Sequence, residues 1–385
     1  MELNPKNMSE CQRAWVEVDL DALAHNASEL KKQMRGNCEL MAIVKADAYG
    51  HGYEKVALRL QREGVTSFAV ATVREGVRLR EINITENILI LSYTRPDEAW
   101  MLHAFSLAQL VSDGAYAKAL DNTELPLNIH VAIDSGMHRL GIEPKNFDEI
   151  ESIFNCKNLT IEGIATHFAS CDSPDAADAA FTNLQIGRFF DVVQALKKKG
   201  YYVGKIHAQS SYGIVNYPSE HYDYARSGIL LYGVQSEDGC TLLSPSLLPV
   251  LSLRAVIAQV RWIEANESVG YSRTYTTDKP TKLATVCIGY ADGIPRQLSG
   301  KGGMCLIGGK KVPIIGRVSM DMVSVDVSEV ENVSAGDIAT FIGRDKDAEI
   351  RCEDVAKAAG TITNDVLSRL GTRLPRVYLE ESNFL

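Results

Sequence analysis

Short apolar runs alternate with longer amphipathic stretches over roughly the first 230 residues of the chain. The runs are Leu40–Val44, Phe68–Ala71, Ile88–Leu91, Ala108–Val111, Ile129–Ile133, Ile161–Ala165, Lys205–Ala208 and Tyr222–Ala225. Runs of this length, apolar throughout and bounded by polar residues, are expected of strands buried on both faces. The stretches between them have a helical period. From Phe181 to Leu196, for example, Phe181, Leu184, Phe189, Val192, Val193 and Leu196 fall on one face. A helix over Asp21 to Met34 precedes the first run, capped by Asp19 or Asp21, with Leu23, Ala27 and Leu30 as its stripe. Another helix begins near Tyr53. Strands alternating with helices in this way predict an α/β fold, a parallel (β/α)8 TIM barrel.

Near Pro245 and Pro249 the texture changes. Strand-like runs follow at Leu253–Ile263, Lys282–Ile288, Lys311–Ile315, Met322–Val327 and Ile338–Ile342, with turns at Gly302-Gly303 and Gly308-Gly309. Only Asp354–Ala359 and Asn364–Leu370 are helical in pattern. The expected organisation is a polar lead-in over 1–13, a barrel over 14–248, and a mainly β C-terminal domain over 249–385.

Composition narrows the function. A net charge of −9 without a cluster of Lys and Arg argues against a nucleic-acid surface; Lys197-Lys198-Lys199 suits the end of a helix. There is no apolar run near the length that crosses a bilayer. None of the 8 cysteines forms a Cys-x-x-Cys pair or sits at metal-ligand spacing to a His. Reduced thiols, a cytoplasmic location and no metal are therefore expected.

The chemistry gathers at strand ends, where barrels of this kind place their sites. The first run ends in Lys45, followed by Tyr49. A lone strand-end lysine usually only reaches toward water. Buried, however, it loses its proton more readily, and a neutral amine attacks carbonyls. Other ends carry Asp134-Ser135-Gly136-Met137-His138-Arg139, Thr166-His167-Phe168, His207-Ala208-Gln209-Ser210-Ser211 and Arg226-Ser227-Gly228-Ile229. One polar strand end is commonplace; this many together imply a ligand. Backbone N–H groups at Gly228 and Ile229, with the Ser211 hydroxyl, suit a phosphate. A lysine and a phosphate cradle in one barrel mouth point to pyridoxal 5'-phosphate.

The motifs Ala42-Ile43-Val44-Lys45-Ala46-Asp47-Ala48-Tyr49-Gly50-His51-Gly52, Ile133-Asp134-Ser135-Gly136-Met137-His138-Arg139-Leu140-Gly141, Val269-Gly270-Tyr271, Gly289-Tyr290-Ala291-Asp292-Gly293 and Gly316-Arg317-Val318-Ser319-Met320-Asp321 resemble those of the alanine racemases, fold type III pyridoxal-phosphate enzymes. The resemblance spans roughly residues 14 to 380. It implies that Lys45 anchors the cofactor and is one of two bases, with Tyr271 the other. It also implies a head-to-tail homodimer with composite active sites, Tyr271 entering the partner's barrel mouth, and His167 as the cationic neighbour that stabilises its phenolate. By the same resemblance Arg226 faces the pyridine nitrogen, and Tyr49, Ser211, Gly228 and Ile229 hold the phosphate. Arg139 contacts the cofactor's phenolic oxygen and the substrate, Met320 receives the substrate carboxylate through its N–H, and Tyr290 also falls to the substrate. Asp172, Arg296, Arg317 and Ile362 match a corridor, although surface ion pairs explain those charges equally well.

Two positions depart from the family. A carbamylated lysine that commonly orients the arginine is here Ala132, so a chloride, water or nearby carboxylate is expected to face Arg139. A tyrosine beside the substrate side chain is here Asn364. An amide gives a hydroxymethyl room and a hydrogen bond, and gives a methyl nothing. That favours serine, and resembles the racemase domains of membrane-anchored serine/alanine racemases linked to vancomycin resistance. A racemase of L-/D-serine and L-/D-alanine supplying peptidoglycan precursors is the expectation, with a possible missing N-terminal membrane domain. The alternatives are an ordinary alanine racemase, a decarboxylase of the same barrel class, or a non-catalytic pyridoxal-phosphate or amino-acid-sensing protein.

Overall fold

In the computed structural model, residues 13–219, 221–237, 239, 241 and 245–380 are described. The expected lead-in over 1–13 lies outside them except for Arg13. The first described strand, β1 (Ala14–Asp19), is followed by β2 (Glu39–Ile43), β3 (Ser67–Val70), β4 (Asn87–Ile90), β5 (Ala108–Val111), β6 (Leu127–Ala132), β7 (Leu159–Ala165), β8 (Lys205–His207) and β9 (Tyr224–Ser227). Strands β2 to β9 form an 8-stranded parallel sheet in the order β8-β7-β6-β5-β4-β3-β2-β9. All eight expected barrel strands are present. The last lies two residues further along than its apolar run, because Asp223 is used to close the barrel: its N–H donates to Ile206 O (2.8 Å) and its carboxylate accepts from Ile206 N (2.8 Å). Arg226 N–H donates to Gln209 O (3.0 Å), completing the seam between β8 and β9.

Period-two alternation sorts the barrel side chains. Leu40, Ala42, Phe68, Val70, Ile88 and Ile90 join the main core, whereas Met41, Ile43, Ala69, Leu89, Ala108 and Tyr224 form a separate buried cluster. Helix Leu20–Gln33 is capped by Asp19, whose Oδ1 accepts from the N–H groups of Asp21 (3.0 Å) and Ala22 (2.8 Å). Helix Ala176–Lys198 is longer than its stripe suggested and rotated: Leu184 is exposed, and Gln185 is buried in its place. Gln185 is drawn inward by polar contacts, accepting from Ala169 N (3.0 Å) and donating to His167 O (3.3 Å).

The second sheet has nine strands and takes in both ends of the described chain. It contains β10 (Leu251–Ile263), β13 (Thr281–Val286), β14 (Met304–Ile307), β15 (Lys310–Ile315), β16 (Val323–Asp326), β17 (Ile338–Asp345), β18 (Ala348–Ile350) and β19 (Arg376–Leu379); β11 (Ser268–Val269) and β12 (Tyr275–Thr276) form a small ribbon. Strand β1 lies between β10, antiparallel with Val16 opposite Leu253, and β19, parallel with Val16 opposite Arg376. The β1 residues are too few and too evenly buried to show an alternating pattern, and the strand was not foreseen.

One side chain ties this sheet to the barrel mouth. Arg376 on β19 donates to Gly50 O through Nε (3.1 Å) and Nη2 (2.9 Å), and to the carbonyls of Leu370 (2.7 Å), Gly371 (2.6 Å) and Leu374 (2.6 Å). Arg376→Met keeps the stem and strands these carbonyls. The expected loss is roughly 2–4 kcal/mol of stability, read as a lower urea midpoint. An unchanged midpoint would mean that the bonds hold nothing.

Candidate active site

The C-terminal ends of the barrel strands enclose a cavity of about 760 Å³ lined by Lys45, Tyr49, Ala132, Arg139, His167, Ser211, Arg226, Gly228, Ile229 and Asn364, among others. Every barrel residue singled out from the sequence as a cofactor contact therefore meets at one place.

Lys45 follows β2 after a single residue, Val44, and begins a turn of unusual hand. Ala46, Asp47, Ala48 and Tyr49 have φ of 52°, 55°, 53° and 52°. None is glycine, and each costs about 1–2 kcal/mol in that region. Several bonds hold the turn: Glu75 Oε1 accepts from Ala46 N (2.7 Å), Asp47 Oδ1 accepts from Tyr53 N (2.9 Å), and His51 Nδ1 lies 2.9 Å from both Ala48 O and Tyr49 O. Two carbonyls are acceptors only, so Nδ1 of His51 carries the proton. The His51 ring stacks on Tyr232 at 4.4 Å, and Tyr232 O–H donates to Ile43 O (2.9 Å). Burial lowers the Lys45 pKa, Arg139 lowers it further, and Glu75 acts in the opposite direction. The amine is held toward its neutral, nucleophilic form.

Arg226 is buried on β9 with no carboxylate partner among the described residues. Nη1 donates to His207 Nδ1 (2.8 Å) and His207 O (3.0 Å); Nη2 donates to Thr166 O (2.7 Å), Ala208 O (3.0 Å) and His167 Nδ1 (3.2 Å). A guanidinium only donates, so the accepting nitrogens of both histidines are unprotonated. His207 then carries its proton on Nε2 and passes a hydrogen bond to His130 Nδ1 at 2.8 Å. Burial, followed by Arg226, pushes His130 and His167 down to about 3 and lowers His207 as well. His167 is therefore a neutral imidazole in this chain, not the cation expected beside Tyr271. His130 and His207 were not foreseen as a pair. They stand on β6 and β8, and only the strand order places β7 between them.

The other end of the cavity is built for an anion. Ser211 Oγ accepts from Gly228 N (2.9 Å) and Leu230 N (3.4 Å), and the Ile229 N–H makes no bond among the described residues. A Cβ at Gly228 would lie 2.6 Å from the Tyr49 hydroxyl. Only glycine leaves that hydroxyl above the backbone. The Tyr49 and Ser211 hydroxyls and the free Ile229 N–H here fit the phosphate of pyridoxal phosphate, while the Gly228 N–H, expected from the sequence to face it, donates to Ser211 Oγ.

Arg139 is exposed at the cavity rim and pairs with no carboxylate among the described residues. Asp134, the acid in the same loop, accepts instead from Gly136 N (3.0 Å), His138 N (2.9 Å) and His138 Nδ1 (3.0 Å). Of the alternatives expected opposite Arg139, a nearby carboxylate is thus not the partner. Asp172 lines the cavity, whereas Arg296, Arg317 and Ile362 do not. Tyr271, Tyr290 and Met320 also lie outside it, on the second domain, and are 70%, 41% and 52% exposed. They are neighbours through the backbone: Tyr290 N donates to Ser319 O (3.0 Å), Ala291 N donates to Met320 O (3.0 Å), and the Gly270 backbone abuts Arg317 N. Among the described residues no cluster of His, Cys, Asp and Glu could hold a metal, and no helix is long and apolar enough to cross a membrane.

Comparison with known proteins gives one answer along the whole chain. Residues 18–236 match the N-terminal domain of alanine racemase, and residues 250–378 match its C-terminal domain. An amino-acid racemase of Enterococcus faecalis is 42% identical over 370 residues, which is 96% of this chain and 52% of that protein. A serine/alanine racemase of Enterococcus gallinarum is 37% identical, over 96% of this chain and 52% of that protein. The chain thus spans about half the length of these relatives. It spans 99% of the alanine racemase of Carboxydothermus hydrogenoformans, at 39% identity over 95% of its own length. Among solved structures, an alanine racemase of Clostridium difficile matches with a TM-score of 0.89 at 30% identity, covering 96% of each chain. One from Bartonella henselae with covalently bound pyridoxal phosphate matches at 0.84 and 28%, covering 96% of this chain and 100% of that one.

The buried histidines predict acid lability. Below about 6.5 the unfolded chain takes up protons that His51, His130, His167 and His207 refuse in the fold, so stability falls as the pH drops toward about 4. Each contributes up to about 1.4 kcal/mol per pH unit in that window. Melting temperature against pH should be steep there, and His130→Asn should make it shallower. Equal slopes for both proteins would contradict the neutral assignment.

Proposed function

The chain belongs to the alanine racemase family, with both family domains matched in order along it, and on that premise we propose that it is a pyridoxal-phosphate-dependent racemase interconverting the L and D forms of serine and alanine. The observation that carries the proposal is the single cavity in which the depressed amine of Lys45, the carboxylate-free Arg226 and the anion cradle at Gly228 meet. A decarboxylase of the same barrel class, or a bare-barrel cofactor carrier, does not account for the two family domains.

Bound pyridoxal phosphate supplies an electron-accepting ring that makes the substrate α-proton removable. Lys45 would anchor it, and Ser211, Gly228, Ile229 and Tyr49 would hold its phosphate. Arg226 spends both Nη atoms on the barrel, so Nε–H is the donor it has left for the ring nitrogen. Facing only a donor, that nitrogen would stay unprotonated and the ring would be a restrained electron sink. Arg139, free of a carboxylate, is available to the cofactor's phenolic oxygen and to the substrate. Inversion needs a proton removed from one face of the α-carbon and another delivered to the opposite face. Lys45 holds one proton position and Tyr271 of a second copy holds the other, with Met320 N–H and Tyr290 beside it at the substrate carboxylate. The exposed surface carrying Tyr271, Tyr290 and Met320 supports a homodimer with composite sites. We further propose that residues 14–248 and 249–385 are the two domains and that D-amino acids for peptidoglycan are the product. The chain would act as the cytoplasmic part of a larger membrane-anchored protein; that it spans about half the length of the Enterococcus relatives supports a larger whole.

Asn364 lines the cavity and favours serine over alanine. The ordinary alanine racemase reading draws on the Carboxydothermus relative, which the chain matches nearly end to end. L-serine and L-alanine assayed side by side decide between them, and Asn364→Tyr should lower the serine-to-alanine ratio. Composite sites have their own test. Lys45→Ala and Tyr271→Phe should each be inactive, yet after mixing and reassociation about one quarter of the activity should return, because half of the dimers are mixed and each carries one intact site. Activity that does not return places Tyr271 elsewhere.

A further inference from the structure

Asn364 does not stand alone at the cavity wall. It occupies the first turn of helix Thr363–Ser368, and residues 235–236 of the barrel side hold that turn. Thr363 Oγ1 donates to Gln235 O (2.7 Å) and Thr363 N donates to Ser236 O (3.3 Å). Ser236 N–H in turn donates to the Tyr212 hydroxyl. Within this frame Ser236 Oγ donates to Asn364 Oδ1 at 2.8 Å, and both side chains line the cavity that contains Lys45.

An asparagine amide presents an acceptor and a pair of donors of nearly the same shape, and an unrestrained amide turns over easily. With Oδ1 engaged by Ser236, the groups left over are the two N–H donors on Nδ2, which bond to nothing among the described residues. We propose that Ser236 is a specificity-determining positioning residue: it locks the Asn364 amide donor-side toward the substrate, so that the site selects amino acids whose side chain offers a hydroxyl oxygen as acceptor. This rests on the reading of the chain as a racemase that accepts serine. A hydroxymethyl satisfies the donors, and a methyl leaves them unpaired beside the substrate, at a cost.

The holoenzyme is assayed with L-serine and L-alanine, unaltered and as Ser236→Ala, Ser236→Cys and Ser236→Thr. The ratio of kcat/KM for serine to that for alanine should fall about three- to tenfold in Ser236→Ala, the worth of one neutral hydrogen bond. Ser236→Cys, of similar size with a weak donor, should also lower it and serves if the alanine variant does not fold. Ser236→Thr keeps a hydroxyl and should hold the ratio within about twofold. A ratio unchanged in Ser236→Ala and Ser236→Cys overturns the assignment, even if both substrates slow together. So does a Ser236→Thr ratio as low as that of Ser236→Ala. If the unaltered chain turns over alanine but not serine, the substrate reading fails first and this assignment goes with it.

Discussion

The turn after Lys45 is the constraint on which the site depends. Four consecutive non-glycine residues in left-handed geometry are unfavourable in any isolated peptide. They persist because the surroundings leave no alternative. His51 grips two of the carbonyls, Glu75 and Asp47 hold the ends, and Arg376 reaches from the second sheet to the next carbonyl, that of Gly50. A right-handed turn would release these bonds and redirect both Lys45 and Tyr49. The amine and the phosphate-side hydroxyl are thus aimed by one strained element. Since Arg376 belongs to β19, that element is complete only when the second domain is docked. The association of β1 with β10 and β19 points the same way, because the chain threads the second sheet before it builds the barrel.

A second constraint is the buried guanidinium. Arg226 lies inside a parallel barrel, where an unpaired charge is expensive. Its neighbours among the described residues offer carbonyls and neutral imidazoles and no carboxylate. A carboxylate there would have drawn off positive potential and let a facing ring nitrogen take a proton. Three carbonyl oxygens and two imidazole nitrogens instead spread the charge through dipoles. Burial, and after it the same charge, keeps His130, His167 and His207 neutral, and the hydrogen bonds that run from Arg226 fix the tautomers of His207 and His130.

Much of this was legible in the chain. Barrel strands buried on both faces leave continuous apolar runs, and all eight were found that way. Lys45, Arg139, Arg226 and Gly228 were visible because strand ends are where such barrels work, and motif spacing carried the rest. What stayed hidden depends on partners distant in sequence. Strand β1 has no turn-marked neighbour, and its pairing with residues near both 253 and 376 cannot be read locally. His207 and His130 are 77 positions apart, Ser236 and Asn364 are 128 apart, and in each case the relation exists only as a hydrogen bond across the fold. The neutral state of His167 was missed for a related reason: its charge is decided by burial and then by Arg226, and barrel closure brings about both.

The two proposed bases share a local design although they stand on different domains. Lys45 precedes a left-handed turn, and Tyr271 is enclosed by one: Gly270, Ser272 and Arg273 have φ of 74°, 57° and 52°. At Gly270 the conformation calls for glycine, and a Cβ there would also crowd Arg317 N at 3.3 Å. Backbone strain of this kind persists where position matters more than stability. At Lys45 the strain is held by hydrogen bonds on all sides and the side chain is half-buried. At Tyr271 the supports are fewer, chiefly Arg273 Nε donating to Ser268 Oγ (2.9 Å), and the ring stands out with 70% of its surface uncovered. An aromatic ring held outward by a strained turn gains nothing within its own chain. In the proposed homodimer the burial that offsets the strain would come from the barrel mouth of a second copy, a concave surface lined by Lys45.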